Sequence, residues 1–102
     1  MKNTKYKIEF TEKALNMIKL HIQYLTLIDI NIAKVFKEKI FSASKTLEVL
    51  PNRCPLLGIS DMTDKYRKLI IDDKYILVYK VIENIVCIEY FLDCKQDYKW
   101  LL

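Results

Sequence analysis

The residues of this sequence that are best suited to metal or disulfide chemistry are three cysteines and one histidine. Cys54, Cys87 and Cys94 are odd in number and include no Cys-x-x-Cys pair, so we expect three reduced thiols, without a disulfide framework or a zinc site. His21 alone cannot form a histidine metal cluster, and we interpret it as a partly buried structural residue on a helix. A single glycine excludes a P-loop and a dinucleotide fingerprint, since each needs several glycines in one turn.

The composition indicates a small globular protein. The chain has 102 residues, 52% apolar and 29% charged, and this length suits one domain over residues 1–102. The apolar content is too high for a disordered tail, and no apolar run approaches the roughly 20 residues of a membrane-spanning helix. The start of the chain lacks the apolar centre of a secretion signal, so we expect a cytoplasmic protein without a membrane partner. A net charge of +4 is a mild bias toward anionic partners.

The first half of the chain predicts one strand and two helices. Residues 5–10 alternate apolar with charged side chains, which is typical of a half-exposed strand. Thr11 then offers a helix N-cap, and the helix that follows should fade near Leu27. Asp29 or Asn31 can cap a second helix, and so short a link predicts an antiparallel helical hairpin.

The second helix carries a regular apolar stripe that alternates steps of three and four residues. The stripe consists of Ala33, Phe36, Ile40, Ala43, Leu47 and Leu50. Lysines and glutamates occupy the other faces, so we expect the stripe to form the core of the hairpin. Pro51 should end the helix, because it has no N–H to donate and restricts the residue before it.

The second half of the chain predicts a loop and three strands. The loop runs from Asn52 to Lys65, and from Tyr66 onward two polar pairs, Asp72-Asp73 and Glu83-Asn84, separate three β-rich runs as tight hairpin turns do. The element order is therefore β-α-α-β-β-β. We expect an α+β fold in which the first strand joins a three-strand antiparallel meander in one sheet, with both helices on one face.

Two-residue turns would fix which side chains share a face of this sheet. With such turns Leu69 lies opposite Ile76, and Ile76 lies opposite Phe91. Arg67 lies opposite Val78 by the same count. The face expected to pack on the helices carries Tyr75, Leu77, Tyr79, Val81, Val86, Ile88, Tyr90 and Leu92.

The opposite face of the predicted sheet also carries apolar side chains. They are Leu69, Ile71, Ile76, Val78, Ile85 and Phe91. An exposed apolar patch of this kind marks a site for a protein partner. The alternative, which the sequence leaves open, is that the long loop or the C-terminal tail folds over it.

With these elements in place, the chain resembles the RelE/ParE superfamily of toxins from prokaryotic type II toxin–antitoxin modules, often labelled plasmid-stabilisation proteins. The resemblance covers nearly the whole chain, through short motifs in a fixed order. The motifs are Tyr6-x-Ile8-x-Phe10-Thr11-x-x-Ala14, Ala33-x-x-Phe36, Leu47-x-x-Leu50-Pro51, Tyr66-Arg67-x-Leu69, Tyr75-x-Leu77-Val78-Tyr79-x-Val81 and Asp93-Cys94-Lys95-Gln96-Asp97-Tyr98.

The resemblance implies a cytoplasmic toxin that inhibits growth until a cognate antitoxin binds it, and it implies no small-molecule cofactor. In the RelE-like branch the toxin cuts mRNA on the ribosome without a metal ion, so this chain could be a metal-independent endoribonuclease. In the ParE-like branch the target is DNA gyrase. RNA cleavage needs a base for the ribose hydroxyl, cations for the phosphate and an acid for the leaving oxygen.

Four residues of this chain stand at catalytic positions that the resemblance implies, and the match is partial. Arg67 matches a frequent family arginine, and Lys95 falls where the family usually has arginine after the last strand. Asp97 and Tyr98 fall where one nuclease branch has His-Tyr. Structural roles are open for the same residues: Tyr98 could anchor the tail and Asp97 could cap it. Arg67 could form a cross-strand ion pair with Glu89.

Two other positions depart from the nuclease pattern. Ile71 stands where RelE-like enzymes carry a catalytic cation, and Ile76 replaces the arginine of the common Tyr-Arg-Leu-Val-Tyr run. Losing a cation that stabilises the transition state costs a factor of about 100 or more. The departures favour the gyrase-directed function, with the mRNA endonuclease as the alternative. A degenerate member that keeps only antitoxin binding is the third hypothesis.

For the antitoxin, the expected partner segment is partly disordered until it binds. We expect it to lie along the helices or over the apolar patch of Leu69, Ile76, Val78 and Phe91.

Overall fold

The predicted order of elements is confirmed in a computed structural model that describes residues 5–56 and 65–93. Two single-turn 3₁₀ helices, Thr46–Glu48 and Pro51–Arg53, follow the helical hairpin. The main elements are β1 (Lys7–Phe10), α1 (Glu12–Ile28), α2 (Ile30–Lys45), β2 (Tyr66–Ile71), β3 (Tyr75–Ile82) and β4 (Ile85–Asp93). No helix in the described ranges is both long and apolar enough to cross a bilayer.

The four strands form one mixed sheet with the order β1-β4-β3-β2. Strands β2, β3 and β4 form the predicted antiparallel meander. Strand β1 joins it as expected but runs parallel to β4, with Lys7 opposite Ile85. The connection from β1 to β4 contains the helical hairpin and then β2 and β3, so it is long enough for the crossover that parallel pairing requires.

Both helix N-caps predicted from the sequence are confirmed. The Thr11 hydroxyl accepts a hydrogen bond from the Ala14 N–H at 3.1 Å. Asp29 alone links the helices, and its carboxylate accepts from the Asn31 N–H at 2.8 Å. The Asp29 N–H in turn donates to the Leu25 carbonyl at the end of α1. One residue therefore ends the first helix and begins the second, which brings the two together as a hairpin.

The second helix ends at Lys45, earlier than Pro51, so the predicted end was wrong. The Thr46 hydroxyl donates to the Ala43 carbonyl at 2.6 Å, and Arg53 donates to the Thr46 carbonyl. Such local side-chain bonds compete with continued α-helix. Leu50, expected at the end of the buried stripe, is instead exposed and has a left-handed backbone. The other stripe residues are buried or half-buried as predicted.

The first meander turn has three residues, so the predicted pairing of β2 with β3 was wrong by one. The Lys74 N–H donates to the Ile71 carbonyl at 3.0 Å, and Ile71 lies opposite Tyr75. Leu69 consequently lies opposite Leu77. Because strand side chains alternate, this shift turns Arg67, Leu69 and Ile71 toward the helices.

The second meander turn is the predicted Glu83-Asn84 pair, with Ile82 opposite Ile85. Further along, a bulge changes the register: Tyr79 lies opposite Ile88, whereas Val78 lies opposite Tyr90. Glu89 is the extra residue on β4. Beyond it, Phe91 faces the helices while Tyr90 and Leu92 face away, the reverse of the prediction.

The main core lies between the sheet and the helical hairpin. It joins both helices to the inward faces of β3 and β4. Its best-buried large side chains include Ile18, Ile40, Leu47, Leu77, Tyr79 and Ile88.

We predict that Ile40→Ala lowers the free energy of unfolding by about 2–5 kcal/mol, because it opens a cavity in a fully buried part of this core. The matched control is Ile32→Ala on the same helix, where the side chain is about half exposed. That change should stay within about 0.5 kcal/mol. Urea denaturation of both variants measures the difference, and equal losses would contradict the assignment of the core.

Candidate functional site

A polar cluster lies on the sheet face that points away from the helices. Lys80 Nζ is 3.0 Å from the Glu89 carboxylate, and the Tyr66 hydroxyl donates to the same carboxylate at 3.2 Å. Lys80 Nζ also lies 5.6 Å from the centre of the Tyr66 ring. Tyr66, Lys80 and Glu89 are called the outer cluster below. They come together because Tyr66 pairs with Lys80 across the strands, and because Glu89 lies two residues beyond Cys87, which pairs with Lys80 from β4.

The outer cluster largely neutralises its own charge. The side chains of Lys80 and Glu89 are 29% and 19% exposed, so water screens the pair incompletely. The hydrogen bond to Glu89 raises the pKa of Lys80, and burial, with the Glu89 charge, raises the pKa of Tyr66. At neutral pH the lysine is therefore charged and the tyrosine protonated. Since Glu89 already holds Lys80, the cation is not free to stabilise a phosphate.

Arg67 fastens the segment before β2 to the edge of the sheet. Its Nη1 donates to the Cys54 carbonyl at 2.6 Å, while the neighbouring Lys68 N–H donates to the Pro55 carbonyl at 3.1 Å. The expected ion pair with Glu89 is wrong, because the shifted register turns Arg67 to the other side of the sheet. The catalytic role predicted for Arg67 stays a prediction.

A shallow groove at this end of the sheet brings three cations together. Lys65, Arg67 and Lys80 line it, next to Asn52 and Leu56. Cations around a groove are what a nucleic-acid backbone requires. Two of the three, however, already hold oxygen atoms of the protein itself. Lys95, Asp97 and Tyr98, the other predicted catalytic residues, lie outside the described residues.

The apolar patch predicted for the antitoxin is not an exposed surface in this fold. Leu69 and Phe91 belong to the core beneath the helices, whereas Ile76 and Val78 lie on the opposite face of the sheet. Phe91 and Ile76 are each 4% exposed and Val78 is 1% exposed. The turn and the bulge bring Leu69 and Phe91 to the helix side, whereas Ile76 and Val78 lie on the predicted face but are buried there. The alternative, a cover formed by the long loop or the C-terminal tail, falls largely outside the described residues. Whether these residues contact an antitoxin stays a prediction.

Ile71 and Ile76, which stand where the resemblance implies cations in the nuclease branch, are also buried. Ile71 is 7% exposed and packs in the helix-facing core. Ile76 packs with Val78 and Leu92 on the other face. The two positions therefore lie on opposite faces of the sheet.

Sequence reasoning missed an aromatic cluster around His21. The imidazole lies 4.8 Å from the Phe36 ring, 5.3 Å from Tyr75 and 5.5 Å from Phe91, centre to centre. Burial lowers the pKa of His21, and the charge of Asp93 opposes that effect. His21 is half-buried, as expected of a structural residue. The predicted register concealed the cluster because it placed Phe91 on the other face.

The outer side of α2 carries a row of exposed lysines beside Phe41. Lys34, Lys37 and Lys45, called the lysine ridge below, border this ring together with Glu38. All three side chains are exposed, as the sequence predicted. Within residues 5–56 and 65–93, no group of three or more His, Cys, Asp or Glu side chains is placed to hold a metal ion.

Comparison with known proteins gives a consistent result. Residues 8–98 match the family described as ParE toxin of type II toxin-antitoxin system, parDE. Among solved structures, the fold is similar to a chain described as the chromosomal ParDE TA system from P. aeruginosa, with a TM-score of 0.72 and 17% sequence identity. The likeness covers 89% of this chain and 98% of that one, and at this identity it concerns the fold alone. No curated protein matches the sequence significantly.

We predict that Arg67→Met loosens the segment attached to the edge of β2, because it leaves the Cys54 carbonyl without its charged donor. A lost hydrogen bond to a charged group costs about 1.5–3 kcal/mol. Hydrogen exchange at the Lys68 amide, which bonds to Pro55, should accelerate. Lys65→Met, from the same groove, is the control and should leave that exchange rate unchanged. Equal rates in the two variants would argue against this anchoring role.

Proposed function

The chain belongs to the ParE toxin family of type II toxin–antitoxin systems, and from that premise we propose that it inhibits growth by acting on DNA gyrase. A cognate antitoxin neutralises it, and its site of action is the cytoplasm. Residues 1–102 act as one unit without a small-molecule cofactor. The observation that carries the choice of gyrase over mRNA is the burial of Ile71 and Ile76, which stand at two positions where the resemblance implies cations.

The burial of two isoleucines supports gyrase as the target more strongly than their residue types alone. Ile71 and Ile76 stand where a nuclease would present positive charge to a phosphate, and both are almost completely buried. Lys80, which does lie on the outer face, is held by Glu89. Preorganised charge is often the largest single contribution to such catalysis, so its removal favours a function through protein contacts.

An mRNA endonuclease is the second candidate, and the cationic groove supports it. Lys65, Arg67 and Lys80 line this groove at one end of the sheet. Lys95 and Tyr98 would have to complete the site, with Lys95 and Arg67 holding the phosphate. Asp97 would take the place of the histidine that shuttles protons in one nuclease branch.

Induced expression in a bacterial host without antitoxin tests the proposal. We predict a DNA-damage response and filamentation, together with gyrase-dependent DNA cleavage by the purified protein. Lys65→Met with Lys80→Met should leave this phenotype unchanged, because the groove is not used. Rapid translation arrest with cut transcripts, abolished by the double substitution, would instead establish the nuclease. A folded protein without a phenotype would support a member that keeps only antitoxin binding.

For the antitoxin, we propose that an acidic segment, partly disordered until bound, lies along α2 on the lysine ridge. Lys34, Lys37 and Lys45 are exposed on one side of this helix and flank the Phe41 ring. An acidic chain with an apolar anchor matches this combination in charge and polarity. Contact with the predicted patch would require access to side chains that are buried here.

We predict that Lys34→Glu with Lys37→Glu weakens antitoxin binding about tenfold or more, because it reverses the charge of the ridge. Isothermal titration at several salt concentrations should also show a weaker salt dependence for this variant. Lys65→Glu with Lys68→Glu changes the same net charge at the start of β2 and serves as the control. Equal affinities for the two double variants would contradict this location of the antitoxin.

A further inference from the structure

His21 lies where four elements of the fold meet. Its imidazole, on α1, is 4.8 Å from the ring of Phe36 on α2, centre to centre. The rings of Tyr75 on β3 and Phe91 on β4 lie at 5.3 and 5.5 Å. These three rings also pack on one another, with centres 4.9 to 5.5 Å apart. Because aromatic pairs at such distances stabilise a fold beyond the area they bury, His21 is part of the contact that holds the helical hairpin on the sheet.

One nitrogen of the His21 imidazole has no hydrogen bond in this contact. Nε2 is buried, and it has no hydrogen-bond partner among residues 5–56 and 65–93. A neutral imidazole carries a proton on one nitrogen and a lone pair on the other, whereas an imidazolium carries a proton on both. The neutral ring can place its lone pair at Nε2, but the charged ring has to bury an N–H without an acceptor, which is costly. The surroundings of Nε2 therefore suit the neutral form.

The neighbours of His21 provide one charge that opposes this preference. Its titratable neighbours on α1 and β3 are Tyr24, with ring centres 5.9 Å apart, and Tyr75, and the facing side chain of α2 is Phe36. From β4, Asp93 lines the same shallow cavity as His21, and its negative charge favours protonation. Burial outweighs that charge and lowers the pKa of His21 below its ordinary value of about 6.5.

A second groove brings three further charged side chains near the same rings. Lys39, Asp72 and Lys74 line it together with Phe36 and Tyr75. Lys39 and Asp72 are 2.6 Å apart and largely neutralise each other. Among the described residues, Asp93 is therefore the charge that acts on the imidazole.

We propose that His21 is an acid-sensitive switch in this fold, and that its protonation weakens the packing of the helical hairpin on the sheet. Protonation brings a charge into a contact made by rings from four elements. It also creates an N–H at Nε2 for which the described residues offer no acceptor. Water can solvate the imidazolium only if α1 moves away from the rings of the sheet. Mild acid therefore lowers the fraction of free toxin that is folded.

The direction of the pH effect follows from the linkage between protonation and folding. Unfolding exposes His21 to water, so the unfolded chain binds a proton at a higher pH than the folded chain does. The stability that depends on neutral His21 is fully present above about pH 6.5 and is lost as the pH falls below that value. At pH 5.5 the folding equilibrium constant falls by at most about tenfold, which is the limit in which His21 stays neutral in the folded chain.

The chain contains one histidine, so NMR titration of the full 102-residue protein without antitoxin measures the pKa of His21 directly. We expect a pKa below about 6.5. Urea denaturation at pH 7.5 and pH 5.5 then gives the change in the folding equilibrium constant. Its fall should be about two- to tenfold larger for the wild type than for His21→Phe. The phenylalanine keeps an aromatic ring in the cluster but cannot be protonated, so this variant retains only the pH dependence of the other groups.

The opposing charge gives a second measurement that does not depend on the stability of His21→Phe. Asp93→Asn removes the charge that favours protonation, so it should lower the pKa of His21 further. Glu83→Gln is the matched control, because it removes an equal charge in the turn at the other end of β3 from Tyr75. The pKa of His21 should be the same in this control as in the wild type.

Two results would overturn the proposal. One is a pKa of His21 at or above about 6.5 in the folded wild type, because the rings and Asp93 would then favour the charged form. The other is an equal loss of stability between pH 7.5 and pH 5.5 in the wild type and in His21→Phe, which would assign the pH effect to other groups. Neither measurement involves gyrase or the antitoxin, so the outcome is independent of the proposed function.

Discussion

The placement of side chains on the sheet depends on the three-residue turn between β2 and β3. The Lys74 N–H closes it on the Ile71 carbonyl, and Asp72 and Asp73 both adopt left-handed backbone conformations, with φ of 55° and 56°. Aspartate tolerates this conformation better than most residues. Because side chains alternate along a strand, one additional turn residue decides that β2 presents Leu69 and Ile71 to the helices and Tyr66 to the outer face.

The bulge on β4 makes a second shift of the same kind, and it completes the aromatic cluster around His21. Beyond the bulge, Phe91 reaches the rings around His21. At the bulge, Glu89 stands close enough to Lys80 to neutralise it. Regular pairing would also leave Glu89 on the outer face, since it lies two residues beyond Cys87, the partner of Lys80, whereas the turn decides that Tyr66 and not Arg67 joins them. The electrostatic character of the outer face thus follows from backbone register as much as from residue type.

The sequence predicts the helical part of this fold well because its signals are local. Thr11 and Asp29 are good N-cap residues at the right places, and the apolar stripes have helical spacing. Register could not be predicted in the same way. Leu69, Ile70 and Ile71 are all apolar, so β2 shows no alternation that would distinguish its two faces. The bulge at Glu89 contains no glycine, which would mark one type of bulge in a sequence. Both errors also affect the predicted site, because the face on which each side chain lies was predicted from its distance along the strand to the nearest turn.

The apolar side chains of the sheet and those of the helical hairpin differ in how much they contribute to the stability of the fold. An apolar side chain on the sheet contributes to folding once the sheet packs, and Phe91, Ile76 and Val78 are all buried in this way. On the hairpin the core needs one stripe of each helix, and the remaining apolar residues stay exposed. Leu27 and Ile28 gain little from folding where they are. Exposed apolar area is stabilised when a partner covers it, so the hairpin, rather than the sheet, is the part of this toxin that is suited to contacts with other proteins.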